Sequence, residues 1–171
     1  MATRARIGIL NEDGTVTASY QHWDGYPGGL GYNLVDYWTD SNKVREAIAL
    51  GNASKWGFII GTKVDFDDRQ DPLHEVQNVY YMRDRGEKDQ GPNTYKDEAD
   101  YLARGFNSGE EYIYLLKNTG KKDYLGKQVG EWFFADYNEG SQFKELEEVA
   151  INDHIDMLKR HLEMMKNRKA A

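Results

Sequence analysis

RIGILNEDGTVTASYQHW, residues 6–23, is the stretch that decides the fold of this chain. Asp13 and Gly14 stand between two runs of β-forming residues, and glycine readily adopts the positive φ that a tight turn requires. In the second run Val16 and Ala18 alternate with polar residues, which places them together on one face of a strand. Residues 6–23 therefore predict an antiparallel β-hairpin.

The elements that follow this hairpin are predicted from apolar periodicity and turn residues. They are helices at 30–38 and 40–51, strands at 58–66 and 76–82, a helix at 94–105, and strands at 111–116 and 131–137. Thr94 with Asp97 three residues later resembles a capping box at the start of the third helix, and Gly105 is expected to end it. Since most adjacent strands are joined by short turns, this order favours an α+β fold with packed helices and a mainly antiparallel sheet.

A long helix is predicted for residues 141–171, after an α+β domain at residues 1–140. Five apolar residues recur along this helix at spacings of four and three, which makes a narrow seam of the kind that packs on another element. We call them the apolar seam: Ile151, Ile155, Leu158, Leu162 and Met165. One interpretation is that the seam packs on the domain's own sheet, and the other is that it contacts a second copy or a partner protein.

Composition limits the classes of function open to the chain. Its 22 Lys and Arg residues against 29 Asp and Glu residues give a formal net charge of −7, which argues against general binding of nucleic acids or anionic membranes. The chain has no Cys, which excludes thiol nucleophiles and thiolate metal sites and fits a reducing cytosol. No apolar stretch approaches the roughly 20 residues of a membrane span, so no membrane association is expected.

The densest unusual segment is HWDGYPGGLG, residues 22–31. His22 and Asp24 stand where a strand gives way to a constrained loop, and they could supply a general base or two metal ligands. Gly28 and Gly29 precede a helix, so their amides are candidates for binding a ligand. The structural alternative is that His22 is a core imidazole and that Asp24 stabilises its own loop.

A second candidate site is RDRGE, residues 83–87. Arg83 and Arg85 could clamp a phosphate or a carboxylate, although alternating charges of this kind also form surface ion pairs. Asp84 and Glu87 would form a carboxylate-rich site with His22 and Asp24 if the two loops met, as in a metal-assisted hydrolase. No pattern in the sequence fixes a metal site or a cofactor.

Several of these motifs together resemble a family of small uncharacterised proteins that bacteriophages and prophages encode. They are the first hairpin, HWDGYP at 22–27, IALG at 48–51, RDRGE at 83–87 and EEYIY at 110–114, and the likeness spans roughly residues 1–137. Many members have Cys before HWD and His before RDR, whereas this chain has Gln21 and Met82 there. The family has no established activity to carry over, but the resemblance implies a phage product that acts in the host bacterial cytoplasm.

The function that these observations favour is that of a non-enzymatic accessory protein. It would bind and modulate a host bacterial protein or complex during infection, with Ile155, Leu158, Leu162 and Met165 in the contact. A homodimer through the same helix is a second arrangement that fits the seam. The alternative function is a metal- or phosphate-dependent hydrolase with its site at the His22/Asp24 and Asp84/Glu87 loops.

Overall fold

A computed structural model describes residues 1–140 and 142–171 as an α+β fold around one eight-stranded sheet. Its strands are β1 (Ala5–Leu10), β2 (Val16–Gln21), β3 (Ala53–Lys55), β4 (Val79–Tyr80), β5 (Asn93–Tyr95), β6 (Tyr112–Lys117), β7 (Glu131–Asp136) and β8 (Lys144–Glu145). Its helices are α1 (Tyr32–Tyr37), α2 (Ser41–Ala49), α3 (Leu73–Val76), α4 (Tyr81–Arg85), α5 (Glu98–Asn107) and α6 (Glu147–Ala170), and a π-helical turn, Pro27–Gly31, precedes α1.

The predicted hairpin is confirmed as the centre of the sheet. β1 and β2 pair antiparallel around the turn, where Gly14 has φ +87° and Asn11 N donates to Thr15 O at 2.8 Å. The strand order is β4-β3-β2-β1-β6-β7-β8, with β5 also paired to β2. β1 pairs with β6 in parallel, as β2 does with β3, so the mainly antiparallel sheet is mixed at these two places.

Two apolar cores lie on opposite faces of the sheet. One core packs the π-helical turn, α1, α2 and the start of α6 against the inward residues of β1, such as Ile7 and Ile9. The other packs α5, through Tyr101 and Leu102, against β2 and the alternate residues of β6. Both faces of β6 are buried, which explains why its sequence YIYLLK is almost continuously apolar.

The predicted strands at 58–66 and 76–82 are wrong in extent. The first segment makes only a single β-bridge, between Ile59 and Gln77, and the second contains the short β4 followed directly by α4. Side chains from elsewhere in the chain form hydrogen bonds with many of the main-chain polar groups at 57–64. Arg83 donates to Ile60 O at 2.9 Å, and Lys43 donates to Phe58 O at 2.9 Å. The β-forming residues of this segment therefore lie in a loop, because its polar backbone groups find partners outside any strand.

The start and end predicted for the third helix are also wrong. Thr94 lies in β5, and Asp97 is the residue that caps α5, where its carboxylate accepts a hydrogen bond from Asp100 N at 2.8 Å. Gly105 lies inside α5 instead of ending it. A Cβ atom there would stand 2.4 Å from Ile113 Cδ1, so glycine serves close packing between α5 and the sheet.

The long terminal helix begins later than predicted. β8 pairs with β7 first, with Glu145 opposite Phe133, and α6 begins at Glu147. Ser141, the expected first residue, lies outside the described residues. Among the described residues, no helix is both long and apolar enough to cross a membrane.

Candidate functional site

The loop after β2 holds His22 and Asp24 in different surroundings. A hydrogen bond of 2.7 Å joins His22 Nδ1 to Tyr20 Oη, and the imidazole lies edge-on to Trp23 with 4.8 Å between ring centroids. Burial raises the pKa of Tyr20 to about 12, so its phenol remains protonated at neutral pH. Asp24 is exposed with φ +58°, and its main-chain carbonyl accepts a hydrogen bond from Leu30 N at 2.9 Å.

Asp24 lines a cleft of about 270 Å³ between the loop after β2, β3 and α3. The other residues that line it are Trp23, Ser54, Lys55, Phe66, Arg69, His74, Glu75 and Val79. Among the described residues this lining includes neither His22 nor Asp84 nor Glu87. The structure therefore does not bring the four predicted acid and base residues together in this cleft.

His74 is a polar residue of this cleft that the sequence analysis did not single out. It is 8% exposed, and its Nε2 lies 2.8 Å from the main-chain oxygen of Asp65. A carbonyl oxygen can only accept, so Nε2 carries the hydrogen. No spacing signal in the sequence distinguishes this imidazole from one in a polar loop, because Asp65 is brought to it only by the fold.

Asp84 is buried and holds the loop at 57–64 onto α4. Its carboxylate accepts hydrogen bonds from Tyr80 N at 2.7 Å and from Val64 N at 3.1 Å, and Arg83 Nε donates to it at 2.9 Å. Arg83 also donates to the main-chain oxygens of Asn78, at 2.8 Å, and of the loop. Both predicted site residues thus use their polar atoms to fix the backbone.

Arg85 and Glu87 form the outer part of the same segment. They make an ion pair with each other, and Arg85 lies over the ring of Phe66 at 4.4 Å from its centroid and over Tyr81 at 4.9 Å. These contacts match the alternative of a surface ion pair. In residues 1–140 and 142–171, no three His, Asp or Glu side chains are grouped so that they could hold a metal ion.

Gly28 and Gly29 lie in the π-helical turn that supports α6. His154 Nδ1 donates to Gly28 O at 3.0 Å, and the His154 ring stacks on Tyr32 with 3.8 Å between centroids and 3° between planes. A Cβ atom at Gly28 would lie 2.8 Å from Met157 Sδ, and one at Gly29 would lie 2.8 Å from the main-chain oxygen of Asp24. Both glycines therefore allow close packing, and Gly28 is covered by α6.

Replacing Gly28 with Ala is expected to loosen α6 from the domain. The new methyl group would also stand 3.1 Å from the main-chain carbon of Asp153, so the helix itself must shift, at a cost of about 1–3 kcal/mol of unfolding free energy. Urea unfolding and amide hydrogen exchange at 147–157 would measure this. Gly91→Ala is the matched control, since a Cβ there meets nothing within 4 Å; equal effects of the two changes would contradict the expectation.

The apolar seam of α6 is exposed along its whole length. Its five residues have exposed fractions of 38% at Ile151, 41% at Ile155, 55% at Leu158, 52% at Leu162 and 45% at Met165. The helix contacts the domain through another face, which includes Ala150, His154 and Met157. The seam is thus not packed on the domain's own sheet.

The last part of α6 projects away from the domain as a basic, amphipathic segment. Residues 158–171, which we call the free segment, are all exposed and extend about 20 Å at 1.5 Å per residue. The free segment has five basic residues and one acidic residue, Glu163. The basic residues are Lys159, Arg160, Lys166, Arg168 and Lys169. The free segment therefore carries positive charge on a chain with a net charge of −7.

A second, larger cleft of about 790 Å³ lies beside the start of α6, and we call it the acidic cleft. Six carboxylates and two lysines line it: Asp36, Asp123, Glu131, Glu145, Glu147, Glu148, Lys121 and Lys122. Apolar surface between them comes from Val35, Val129, Trp132 and Val149, among others. The acidic cleft is suited to a partner that is both basic and apolar.

The chain matches no protein-family model, no curated protein and no solved structure.

Proposed function

We propose that this chain is a non-enzymatic accessory protein that acts by binding another protein through α6. The observation that carries this proposal is the exposed apolar seam on a helix whose last 14 residues, 158–171, are all exposed. An apolar stripe flanked by charged residues is the usual contact face of a helix that binds a protein. Exposing such a stripe to water does not stabilise a helix that stands alone, so the stripe indicates a surface that another protein covers.

The candidate catalytic residues support a binding role over the hydrolase. Asp84 and Arg83 are used in holding the loop at 57–64, and Glu87 is paired with Arg85. A general acid or base must reach its substrate, and a carboxylate with three hydrogen-bond donors on it is not free to do so. These contacts give residues 83–87 a structural role, which supports protein binding over hydrolysis.

The partner that we propose is a host protein in the bacterial cytoplasm. This part of the proposal rests on the resemblance to proteins that bacteriophages and prophages encode. The resemblance implies a phage product that acts in the cytoplasm of the infected cell.

The test is affinity capture with the tagged full-length chain expressed in its host bacterium, followed by mass spectrometry. Leu158→Asp with Leu162→Asp is expected to reduce recovery of a stoichiometric host protein by about tenfold or more, because buried apolar anchors dominate interface energy. The matched control is Arg160→Gln with Asn167→Asp, which changes the net charge by the same amount on the opposite face of α6. Failure to recover such a protein with the unaltered chain, or equal recovery with both variants, would overturn the proposal.

A further inference from the structure

The apolar seam has the periodicity of a helix that pairs with another helix. Its residues alternate at spacings of four and three over two heptads, so they form a continuous stripe when the partner helix is wound around α6. Ile155 and Leu158 lie at the centre of this stripe. Two heptads are short for a coiled coil that stands alone, so a stable pair needs contacts beyond the seam.

The charges of α6 differ at its two ends. Glu147 and Glu148 stand in the first turn of the helix, and both line the acidic cleft. Lys166 and Arg168 stand in the exposed last turns. Two such helices side by side therefore attract when they run antiparallel, because the acidic end of one then meets the basic end of the other.

From this complementarity we propose that two copies of the chain pair through antiparallel α6 helices. Ile155 of each copy packs on Leu158 of the second copy, and Ile151 packs on Leu162. The inference rests on the proposed function in one respect, that the seam is a protein contact, and it names a second copy as the protein that covers it. The host protein then binds the assembled pair, so that changes in the seam reduce host binding by preventing the pair from forming.

The register follows from heptad geometry. In antiparallel coiled coils, the positions that flank the seam on one side face the same positions of the partner helix. With Ile155 opposite Leu158, Glu147, which pairs with Lys121 of its own chain, also faces Arg168 of the second copy. Sliding the helices by one heptad toward their basic ends removes this opposite-charge pair, since Arg168 then faces His154.

The acidic cleft supplies the contact that the short seam needs. It lies beside the first turn of α6, where antiparallel pairing brings the free segment of the second copy. There the basic residues of that segment meet six carboxylates, and Met165 reaches the apolar surface near Val149, which is 37% exposed. The symmetry is twofold, so each copy gives one free segment and receives one.

A parallel pair is disfavoured by the same charges. It would bring the acidic starts of the two helices to one end of the pair and their basic ends to the other, so that the opposite charges of the two copies would not meet. It would also leave both acidic clefts empty, because the free segments would then point away from them.

Sedimentation equilibrium of the full-length chain tests whether the pair exists. The expected result is an average mass that rises with concentration from 19.7 kDa to twice that value. Arg168→Glu is expected to weaken the dimer about tenfold in dissociation constant, since each of two symmetric attractions becomes a repulsion. Arg160→Glu, with the same charge change on the opposite face, is expected to leave it unchanged. A chain that stays monomeric at all concentrations overturns the inference.

Disulfide cross-linking tests the direction of the pair, because the chain has no Cys of its own. Ile151→Cys mixed with Leu162→Cys is expected to form a covalent dimer under mild oxidation, whereas neither variant does so alone. In the antiparallel pair the two copies of residue 151 lie about 16 Å apart along the axis, too far for a disulfide. Covalent dimers of each variant alone would indicate parallel helices and overturn the inference.

The two proposals fail in different ways. A monomeric chain that still loses its host protein on Leu158→Asp with Leu162→Asp overturns the pairing and supports the proposed function. An antiparallel dimer that captures no host protein supports the pairing and overturns the proposed role in the host cell.

Discussion

Replacing Glu110 with Ala is expected to lower the free energy of unfolding by about 3–5 kcal/mol, the range for breaking a buried ion pair on one side. Glu110 is 2% exposed and pairs with Arg6, which is 8% exposed. Arg6 Nε donates to Glu110 Oε1 at 2.9 Å, and Arg6 Nη1 donates to Tyr95 Oη at 2.8 Å. Without the carboxylate, the buried guanidinium would remain charged, with the Tyr95 phenol as its remaining hydrogen-bond partner among the described residues.

The pKa of Arg6 supports this reading of the pair. Burial by itself lowers the pKa of a guanidinium, but the charge of Glu110 opposes it, so that the pKa of Arg6 lies above its usual value. The arginine therefore stays charged at every pH at which the protein is folded, and it needs its counterion.

Urea unfolding followed by tryptophan fluorescence measures the effect of Glu110→Ala. The matched control is Glu87→Ala, which removes a carboxylate from the exposed pair with Arg85 and is expected to cost no more than about 1 kcal/mol. Equal losses of unfolding free energy for the two changes would show that burial does not determine how much the Arg6–Glu110 pair stabilises the fold.

Replacing Asp84 with Ala is expected to destabilise the protein by a similar amount, about 3–5 kcal/mol. The change leaves Tyr80 N and Val64 N without an acceptor, and both residues are buried. It also removes the carboxylate on which Arg83 is oriented, so the loop at 57–64 loses two attachments to α4 at once. Local loosening should appear first in the hydrogen exchange of that loop.

Asp24→Asn is the matched control for Asp84→Ala, because it removes the charge of an exposed carboxylate in the other candidate loop. Asp24 is exposed at φ +58°, a conformation that Asn tolerates well, so the free energy of unfolding is expected to change by no more than about 0.5 kcal/mol. If the Asp84→Ala protein is as stable as the unaltered chain, the Asp84 carboxylate does not stabilise the loop at 57–64. That result would favour the hydrolase as the function. A thermal-shift screen with divalent cations is the companion measurement, because binding to the folded state raises the midpoint.

The sequence predicted the parts of the fold that depend on neighbours along the chain. The first hairpin follows from alternation and from Asp13-Gly14, and α2 begins where Asp40 caps it. The strand predicted at 58–66 failed because its backbone bonds to side chains from distant positions, such as Lys43 and Arg83. β-forming composition gave no sign of these partners.

The candidate site shows the same division. Residue types predicted that charged groups cluster at 22–24 and at 83–87, but not that Asp84 is buried while Asp24 is exposed. The buried Arg6–Glu110 pair was not predicted, since its residues are far apart in the sequence and join only when β1 pairs with β6. His74 was not predicted as a residue of the cleft either, because only the fold brings it into contact with Asp65.

The sequence by itself determined the α+β class, the central hairpin and the spacing of the apolar seam, because each depends on turn chemistry or periodicity within a short stretch. Only the tertiary structure decided that the seam is exposed. The π-helical turn, with Gly28 and Tyr32, holds α6 by the face that carries His154 and turns the seam outward. Periodicity defines an apolar face, but which face is covered depends on packing between residues more than a hundred positions apart.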